Sequence, residues 1–444
     1  MSNMKYSGIE WIGKIPEEWN SKKIKYCISE MSSGGTPDSS DDLLYDNDNG
    51  IPWVSIGDMS TSEYVNDTSK KLTNLGVTSK NLKVYPKGTL LYSIFATIGK
   101  VSILNIDATI NQAILAIIPN NLINKMYLKY SLNSMEKYVI SECSTNTQNN
   151  LNSFKVKNFT ICLPKKEEQK LIADFLDKKV KTIDNIINDL NKEINLLNNY
   201  KKQVISEIVT KGLNKNVEYK DSEIQWIGKI PKHWEIKLIK NICSLKGRIG
   251  WEGLTKDEYI SDGPTLITGI NFKDGNIDWE SCEHVSEWRF NQDKFIQIKN
   301  NDLLITKDGT VGKIALVSDC PEQVTLNSGV LLIRPLDKDS YVVKYLYYSL
   351  LSDEFWHWFE IENIGNTTII HLYQNRFAKF KLVLPPIHEQ KEIVKYLDDK
   401  CSKIDKILKE KNKQLELMEQ YKKSVIYEYV TGKKRVEGAE ELYG

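Results

Sequence analysis

The chain has 444 residues, which predicts two to four domains, and its 41% hydrophobic and 27% charged content is that of an ordinary globular protein. No apolar run approaches the ~18 residues of a membrane span, and residues 1–10 lack the basic-then-apolar pattern of a signal peptide, so a cytoplasmic protein with no membrane partner is expected. Lys and Arg number 60 against 59 Asp and Glu, a net charge of +1, which excludes a uniformly basic grip on nucleic acid: any DNA binding needs basic residues gathered on one surface or help from partners.

The elements come in two copies. The first opens with Trp11-Ile12-Gly13-Lys14-Ile15-Pro16 and Trp19. A Ser33-Gly34-Gly35-Thr36-Pro37 loop follows, and then short β-rich runs at 51–56, 89–94 and 113–118, punctuated by Gly, Asn and Asp. A helix is predicted over 125–141, and an amide-rich loop, Asn146-Thr147-Gln148-Asn149-Asn150, precedes Leu163-Pro164 and Glu168-Gln169-Lys170. Apolar residues then recur at 172, 176, 180, 183, 187, 190, 194, 197, 204 and 208, mostly three or four apart. That is a helical stripe of coiled-coil type, interrupted at Lys201 and stopped at Gly212.

The second copy repeats this order. Trp226-Ile227-Gly228-Lys229-Ile230-Pro231 and Trp234 match the opening. Strands are predicted at 302–306 and 329–333 and a helix over 341–360, and Leu384-Pro385 with Glu389-Gln390-Lys391 opens the second stripe. That stripe runs through Leu397, Cys401, Ile404, Leu408, Leu415, Met418, Val425 and Tyr429, with Lys411 and Lys422 as interruptions. Thr97-Ile98-Gly99-Lys100 likewise matches Thr310-Val311-Gly312-Lys313, and Thr109-Ile110-Asn111 matches Thr325-Leu326-Asn327. The offset drifts by only a few positions, so the chain is two copies of one unit, near 1–212 and 213–444, and not a solenoid, which needs at least ~3 short repeats.

The expected fold class is α+β: two pseudo-symmetric globular domains, each followed by a long helix, with the two helices paired as an antiparallel coiled coil. Each helix is about 40 residues and about 60 Å long. Leu176, Ile183, Ile187, Leu190 and Leu197 on one helix and Leu397, Ile404, Leu408, Leu415 and Met418 on the other should form the seam. The interiors, 33–80 against 246–301, match poorly, which suits either two reading heads on one frame or neutral drift in loops.

Catalytic constellations fail one by one. Residues 8–14 have the spacing of a phosphate loop, but Ile15 stands where Ser or Thr must bind Mg²⁺ and Pro16 where a helix should continue. Gly247, Gly250 and Gly253 do not make a dinucleotide fingerprint. Pro385-Pro386 lacks the flanking residues of an amino-methyltransferase, and no acidic-x-Lys triplet follows Pro37-Asp38 nearby. The five histidines, His233, His284, His357, His371 and His388, have no metal-ligand spacing, and His357, between two tryptophans, reads as a packed helix residue. Seven cysteines stand singly with no C-x-x-C pair, as reduced thiols would.

What remains suits binding. Gly34, Gly35 and Thr36 in copy one, and Arg248, Trp251 and Lys256 in copy two, combine small residues that let backbone N–H groups approach a phosphate with side chains that donate to phosphate or base edges. An ordinary glycine turn is the alternative. The loops at 96–100 and 307–313 carry Thr97 and Lys100, and Lys307, Thr310 and Lys313; a tight hairpin explains them equally well. Gln148, Asn149 and Thr367 lie in polar loops, and Asn and Gln read adenine bidentately in the major groove.

Trp-Ile-Gly-Lys-Ile-Pro-x-x-Trp, Ser-Gly-Gly-Thr-Pro with Ile-Pro-Trp-Val, Gly-Arg-Ile-Gly-Trp-x-Gly-Leu-Thr, the Gly-Thr-Val-Gly-Lys loop and Leu-Pro…Glu-Gln opening a long helix, in this order and duplicated, resemble the DNA specificity subunits of type I restriction–modification systems. The resemblance covers nearly the whole chain. It implies target-recognition domains at 1–160 and 213–380 and conserved helical regions at 161–212 and 381–444. It also implies a non-catalytic subunit that binds double-stranded DNA, two methyltransferase subunits and two restriction/translocase subunits. The chain itself then binds no cofactor; S-adenosylmethionine, Mg²⁺ and ATP belong to the partners. Two reading heads on a helix pair would place unlike half-sites about one DNA turn, roughly 34 Å, apart. A self-contained enzyme and a DNA-independent scaffold are the readings to be distinguished from this one.

Overall fold

In the computed structural model the described residues are 3–60, 63–145, 151–248, 254–337, 341–363 and 371–443, with the backbone alone at 60 and 142–145. The chain folds as two compact units, one made of residues 1–190 with 413–444 and the other of 191–412. Both long helices therefore contribute to each unit.

The first unit is built around a five-stranded sheet. In chain order its strands are β1 (Ile28–Ser33), β2 (Tyr64–Val65), β3 (Leu90–Ser93), β4 (Val101–Leu104) and β5 (Ile114–Pro119), arranged β1-β5-β3-β4-β2. Side chains alternate across this sheet and separate two cores, as the period of two requires. Leu90, Tyr92, Leu115 and Ile117 face the core shared with helix α1 (Lys125–Ser134) and the long helices. Leu91, Ile114 and Ala116 face a second core with Val54 and Ile110. Burial on both faces is why these strands read as continuous apolar runs. A smaller sheet pairs Thr109–Ile110 with Ile51–Val54 in parallel and Lys70–Leu72 antiparallel to it.

The second unit repeats the plan. Strands β6 (Cys243–Lys246), β7 (Leu303–Thr306), β8 (Ile314–Leu316) and β9 (Val330–Pro335) take the order β6-β9-β7-β8. Leu303, Ile305, Leu331 and Ile333 face one core, and Leu304, Val330 and Leu332 the other. The helices predicted over 125–141 and 341–360 are each broken once: Met135 separates Lys125–Ser134 from Glu136–Thr145, and Ser352 separates Val343–Leu351 from Asp353–Glu362. His357 is exposed on the last of these helices and not packed, while its neighbour Trp358 is buried.

The stripes build two long helices, α2 (Lys166–Lys211) and α3 (Ile387–Val430). Glu167 and Glu168 in the first turn of α2 complement its dipole, and Gly212, at φ 74°, closes it in the left-handed conformation that glycine tolerates. The helices run antiparallel within each unit. In the first, the Phe175 and Tyr429 rings lie 4.5 Å apart and Lys422 bonds Asp184 at 2.6 Å, so one helix ascends as the other descends. In the second, Lys411 pairs with Glu193 at 2.6 Å and Lys201 with Asp405 at 2.6 Å. The three lysines that interrupt the apolar stripes thus each meet a carboxylate of the opposite helix. Leu176, Ile183 and Leu190 are buried in the first unit, where Ile187, Leu415 and Met418 are half-buried; Leu397 and Ile404 are buried in the second, where Leu197 and Leu408 are half-buried.

The helices hold the globular parts through the same contacts in both units. Trp19 Nε1 donates to Glu168 Oε2 at 2.8 Å, as Trp234 Nε1 does to Glu389 Oε2 at 3.0 Å. The Tyr127 hydroxyl, fully buried, lies 3.0 Å from Cys162 O and 3.1 Å from Val430 O; Tyr345 lies 2.9 Å from Val383 O and 3.0 Å from Val209 O. Gln169 and Gln390 each donate to the preceding proline carbonyl, at 2.9 and 2.8 Å. Burial drives both tyrosine hydroxyls far above the usual phenol range.

Candidate nucleic-acid interface

At one end of each sheet, a hairpin and a strand-joining turn come together. In the first unit the hairpin joins β3 to β4. Ser93 Oγ bonds the Thr97 carbonyl and accepts from Lys100 N at 3.1 Å, and Gly99, at φ 89°, lets the chain turn back. In the second unit Thr306 Oγ1 donates to Thr310 O at 2.6 Å and accepts from Lys313 N at 2.9 Å, with Gly312 at φ 83°. A side chain at Gly312 would overlap the Trp356 indole, so this glycine also seats the hairpin on the helix beneath.

These hairpins place the expected binding residues unequally. Thr97 and Thr310 are exposed at the tips. Lys100 and Lys313 sit past the turn and are half-buried. Burial, reinforced by Lys422 and opposed by Glu136, lowers the Lys100 ammonium below its ordinary range, and Lys313 Nζ lies 3.5 Å from the Gly269 carbonyl. These two lysines lean on the domain and do not project from the tip. Lys307 is half-exposed, its backbone N–H bonded to Gly329 O at 2.9 Å and its carbonyl to Leu372 N at 3.0 Å. Lys256 is exposed in a short 3-10 turn.

The glycine loops correct the expectation. A Cβ on Gly34 would overlap the carbonyl oxygen of Ile110, so this glycine exists for close backbone packing. Gly35 spends its N–H on the same carbonyl at 3.1 Å, and its own carbonyl accepts from Trp53 Nε1 at 3.0 Å. The Gly35 N–H is thereby spent inside the domain and not offered to a phosphate. Thr36 is half-exposed, and its hydroxyl bonds Gln112 Oε1.

Arg248 is a second correction. Its side chain is 1% exposed, and its Nε donates to Leu326 O at 2.8 Å and its Nη2 to Thr325 Oγ1 at 3.2 Å. It pins a strand from inside and does not reach out to DNA. Gln148, Asn149, Trp251 and Thr367 lie outside the described residues. Sequence reasoning missed Gln112 and the Asp308–His371 pair, in which His371 Nδ1 contacts Asp308 Oδ1. Their signal was available: both sit beside matched motifs but differ from their counterparts.

Among the described residues no three His, Cys, Asp or Glu side chains gather to hold a metal ion, and no helix is long and apolar enough to cross a membrane. The six described cysteines are unpaired. Burial raises the thiols of Cys162 and Cys243 to about 12, so neither is a nucleophile at neutral pH.

Two matching units on one pair of helices, with unlike loops at equivalent ends, define a duplicated recognition module. The model of the type I restriction modification DNA specificity domain matches residues 16–196 and 231–417, and the chain belongs to that family. It is a DNA-specificity subunit, and not a catalytic one. It is 27% identical to the putative type I restriction enzyme MjaX specificity subunit of Methanocaldococcus jannaschii, over 96% of each chain. It is 26% identical to the MjaVIII specificity subunit of the same organism, covering 95% of this chain and 94% of the relative. A chain from a solved structure titled for complex assembly and conformational transition of the type I R-M system shares the fold, with a TM-score of 0.68 at 14% identity over 95% of this chain and 99% of that one.

Proposed function

We propose that this subunit reads a bipartite, asymmetric site on double-stranded DNA, one half with each unit, and positions methyltransferase and restriction subunits on it. The observation that carries this is the contrast between frame and loops. Trp19 and Trp234, Tyr127 and Tyr345, and Gln169 and Gln390 make the same bonds, while the side chains at the loop ends differ. One frame holding two unlike surfaces is what two unlike half-sites require. Target-recognition domains at 1–160 and 213–380, on helical regions at 161–212 and 381–444, are the working division. Two methyltransferase and two restriction/translocase subunits complete the assembly in the cytoplasm. S-adenosylmethionine, Mg²⁺ and ATP work in those partners, and the net charge of +1 fits a reader whose partners supply part of the grip on the backbone.

The test is a genome-wide map of N6-methyladenine in cells carrying the cognate methyltransferase subunit, with and without this gene. A split motif seen only with the gene is expected, and exchange of residues 1–160 should alter one half of it. Methylation independent of the gene, with both proteins made, overturns the reading and favours a scaffold.

A further inference from the structure

Resting on that reading, we infer that Gln112 in the first unit and Asp308 in the second are base-reading side chains, braced by Thr36 and His371 respectively. The argument starts from equivalence. Ser93 and Thr306, Thr97 and Thr310, and Gly99 and Gly312 fix the two hairpins with one bonding scheme, which makes Phe95 the counterpart of Asp308. Asn111 N donates to Val54 O at 3.0 Å and Asn327 N to Ile267 O at 2.9 Å, which makes Gln112 the counterpart of Ser328. Hairpin and turn adjoin in each unit, since Ile94 N bonds Ala113 O at 2.9 Å and Lys307 N bonds Gly329 O at 2.9 Å. Where backbone frames coincide and only exposed side chains change chemistry, the change serves different ligands, not different folds.

The chemistry at these positions is that of major-groove readout. Gln112 is exposed, and the Thr36 hydroxyl donates to its Oε1, which fixes the amide with its Nε2 donors turned away from the threonine. A second lone pair on Oε1 and the Nε2 donors make the bidentate match to adenine N6 and N7. The Asp308 side chain is 44% exposed, and His371, at 25%, contacts its Oδ1. Among the described residues Oδ2 has no bonded partner, and a carboxylate accepts from the cytosine N4 amino group. Bracing a short side chain on a hydrogen-bonded loop gives the positional precision that discrimination between bases demands.

The experiment selects from a fully randomised DNA duplex library with the assembled complex of full-length chain and methyltransferase partner, and sequences the methylated duplexes. Wild type, Gln112→Ser, Thr36→Val and Asp308→Asn are compared. Gln112→Ser should lose about 10- to 100-fold discrimination for adenine at one position of one half-site, with the other half unchanged. Thr36→Val should weaken that same position by less. Asp308→Asn should shift one position of the other half-site from cytosine toward adenine. Base preferences unchanged in Gln112→Ser and Asp308→Asn, or affinity lost evenly over all sequences, overturn the inference. A wild-type complex that selects no split motif overturns the recognition reading itself.

Discussion

Arg435 Nε stands 2.8 Å from Glu168 Oε1, and the glutamate has no exposure to solvent. The same carboxylate accepts from Trp19 Nε1 and from the Tyr443 hydroxyl, each at 2.8 Å, so the end of the chain closes over the start of the first long helix. In the second unit the matching Glu389 meets His233 Nε2 at 2.6 Å instead. Arg435→Ala leaves a buried carboxylate without its cation and should destabilise the first unit by about 3–5 kcal/mol. Hydrogen exchange measured unit by unit checks this; equal loss in both units, or none, refutes it.

Burial raises the Glu168 carboxyl above its usual range, against the pull of Tyr443, Arg435 and Trp19. A folded state that holds its proton more tightly than the unfolded chain is favoured at low pH. Its stability falls as pH rises from the ordinary carboxylate range through the raised value, and is flat above that. Glu168→Gln should remove this slope from the pH dependence of first-unit melting. A slope unchanged in the variant would assign it to another group.

The phenol of Tyr127 bridges Cys162 and Val430, and that of Tyr345 bridges Val383 and Val209. Tyr127→Phe strands buried carbonyls and should cost about 1–3 kcal/mol in the first unit alone; Tyr345→Phe should cost a similar amount in the second alone. Local unfolding free energies from hydrogen exchange would show whether each effect stays in its own unit.

Gly34→Ala and Gly35→Ala separate packing from flexibility. The new methyl at 34 overlaps the Ile110 carbonyl, whereas at 35 the nearest atom is the end of the Leu82 side chain at 3.0 Å. The first substitution should destabilise the unit by about 1–3 kcal/mol, and the second by clearly less. Equal denaturant midpoints for the two variants would contradict the structure.

Along the helix pair, apolar burial should outweigh charge. Ile404→Ala should cost about 2–5 kcal/mol, while Lys411→Ala, which removes a partly exposed pair with Glu193, should cost about 0–1 kcal/mol. A reversed order in thermal melts would mean that the lysines, and not the stripe, hold the helices.

The repeat and the stripes were legible because both are periodic, and period survives without knowledge of contacts. Lys201, Lys411 and Lys422 broke the pattern in the sequence and became the ion pairs between the helices. The frame was only half legible. Trp19, Glu168 and Gln169 stand out by recurrence, and Tyr127-Leu128-x-Tyr130-Ser131-Leu132 and Tyr345-Leu346-x-Tyr348-Ser349-Leu350 carry an equally clear echo, but recurrence alone does not tell which carbonyls the two phenols meet. The binding loops were least legible. Nothing near Gly34 announces Ile110, and nothing near Arg248 announces Leu326, because both meetings depend on strand pairing far along the chain.

Each compact unit draws on segments of both long helices, so a reading unit is not one continuous stretch of the gene. Exchange of a recognition half between related genes therefore succeeds on a condition that has nothing to do with DNA. The incoming segment must bring an indole where Trp19 stands and a phenol where Tyr127 stands, to fit helix ends it did not evolve beside. Those few side chains act as a compatibility code: new specificities can be inherited piecemeal while the assembly platform stays the same.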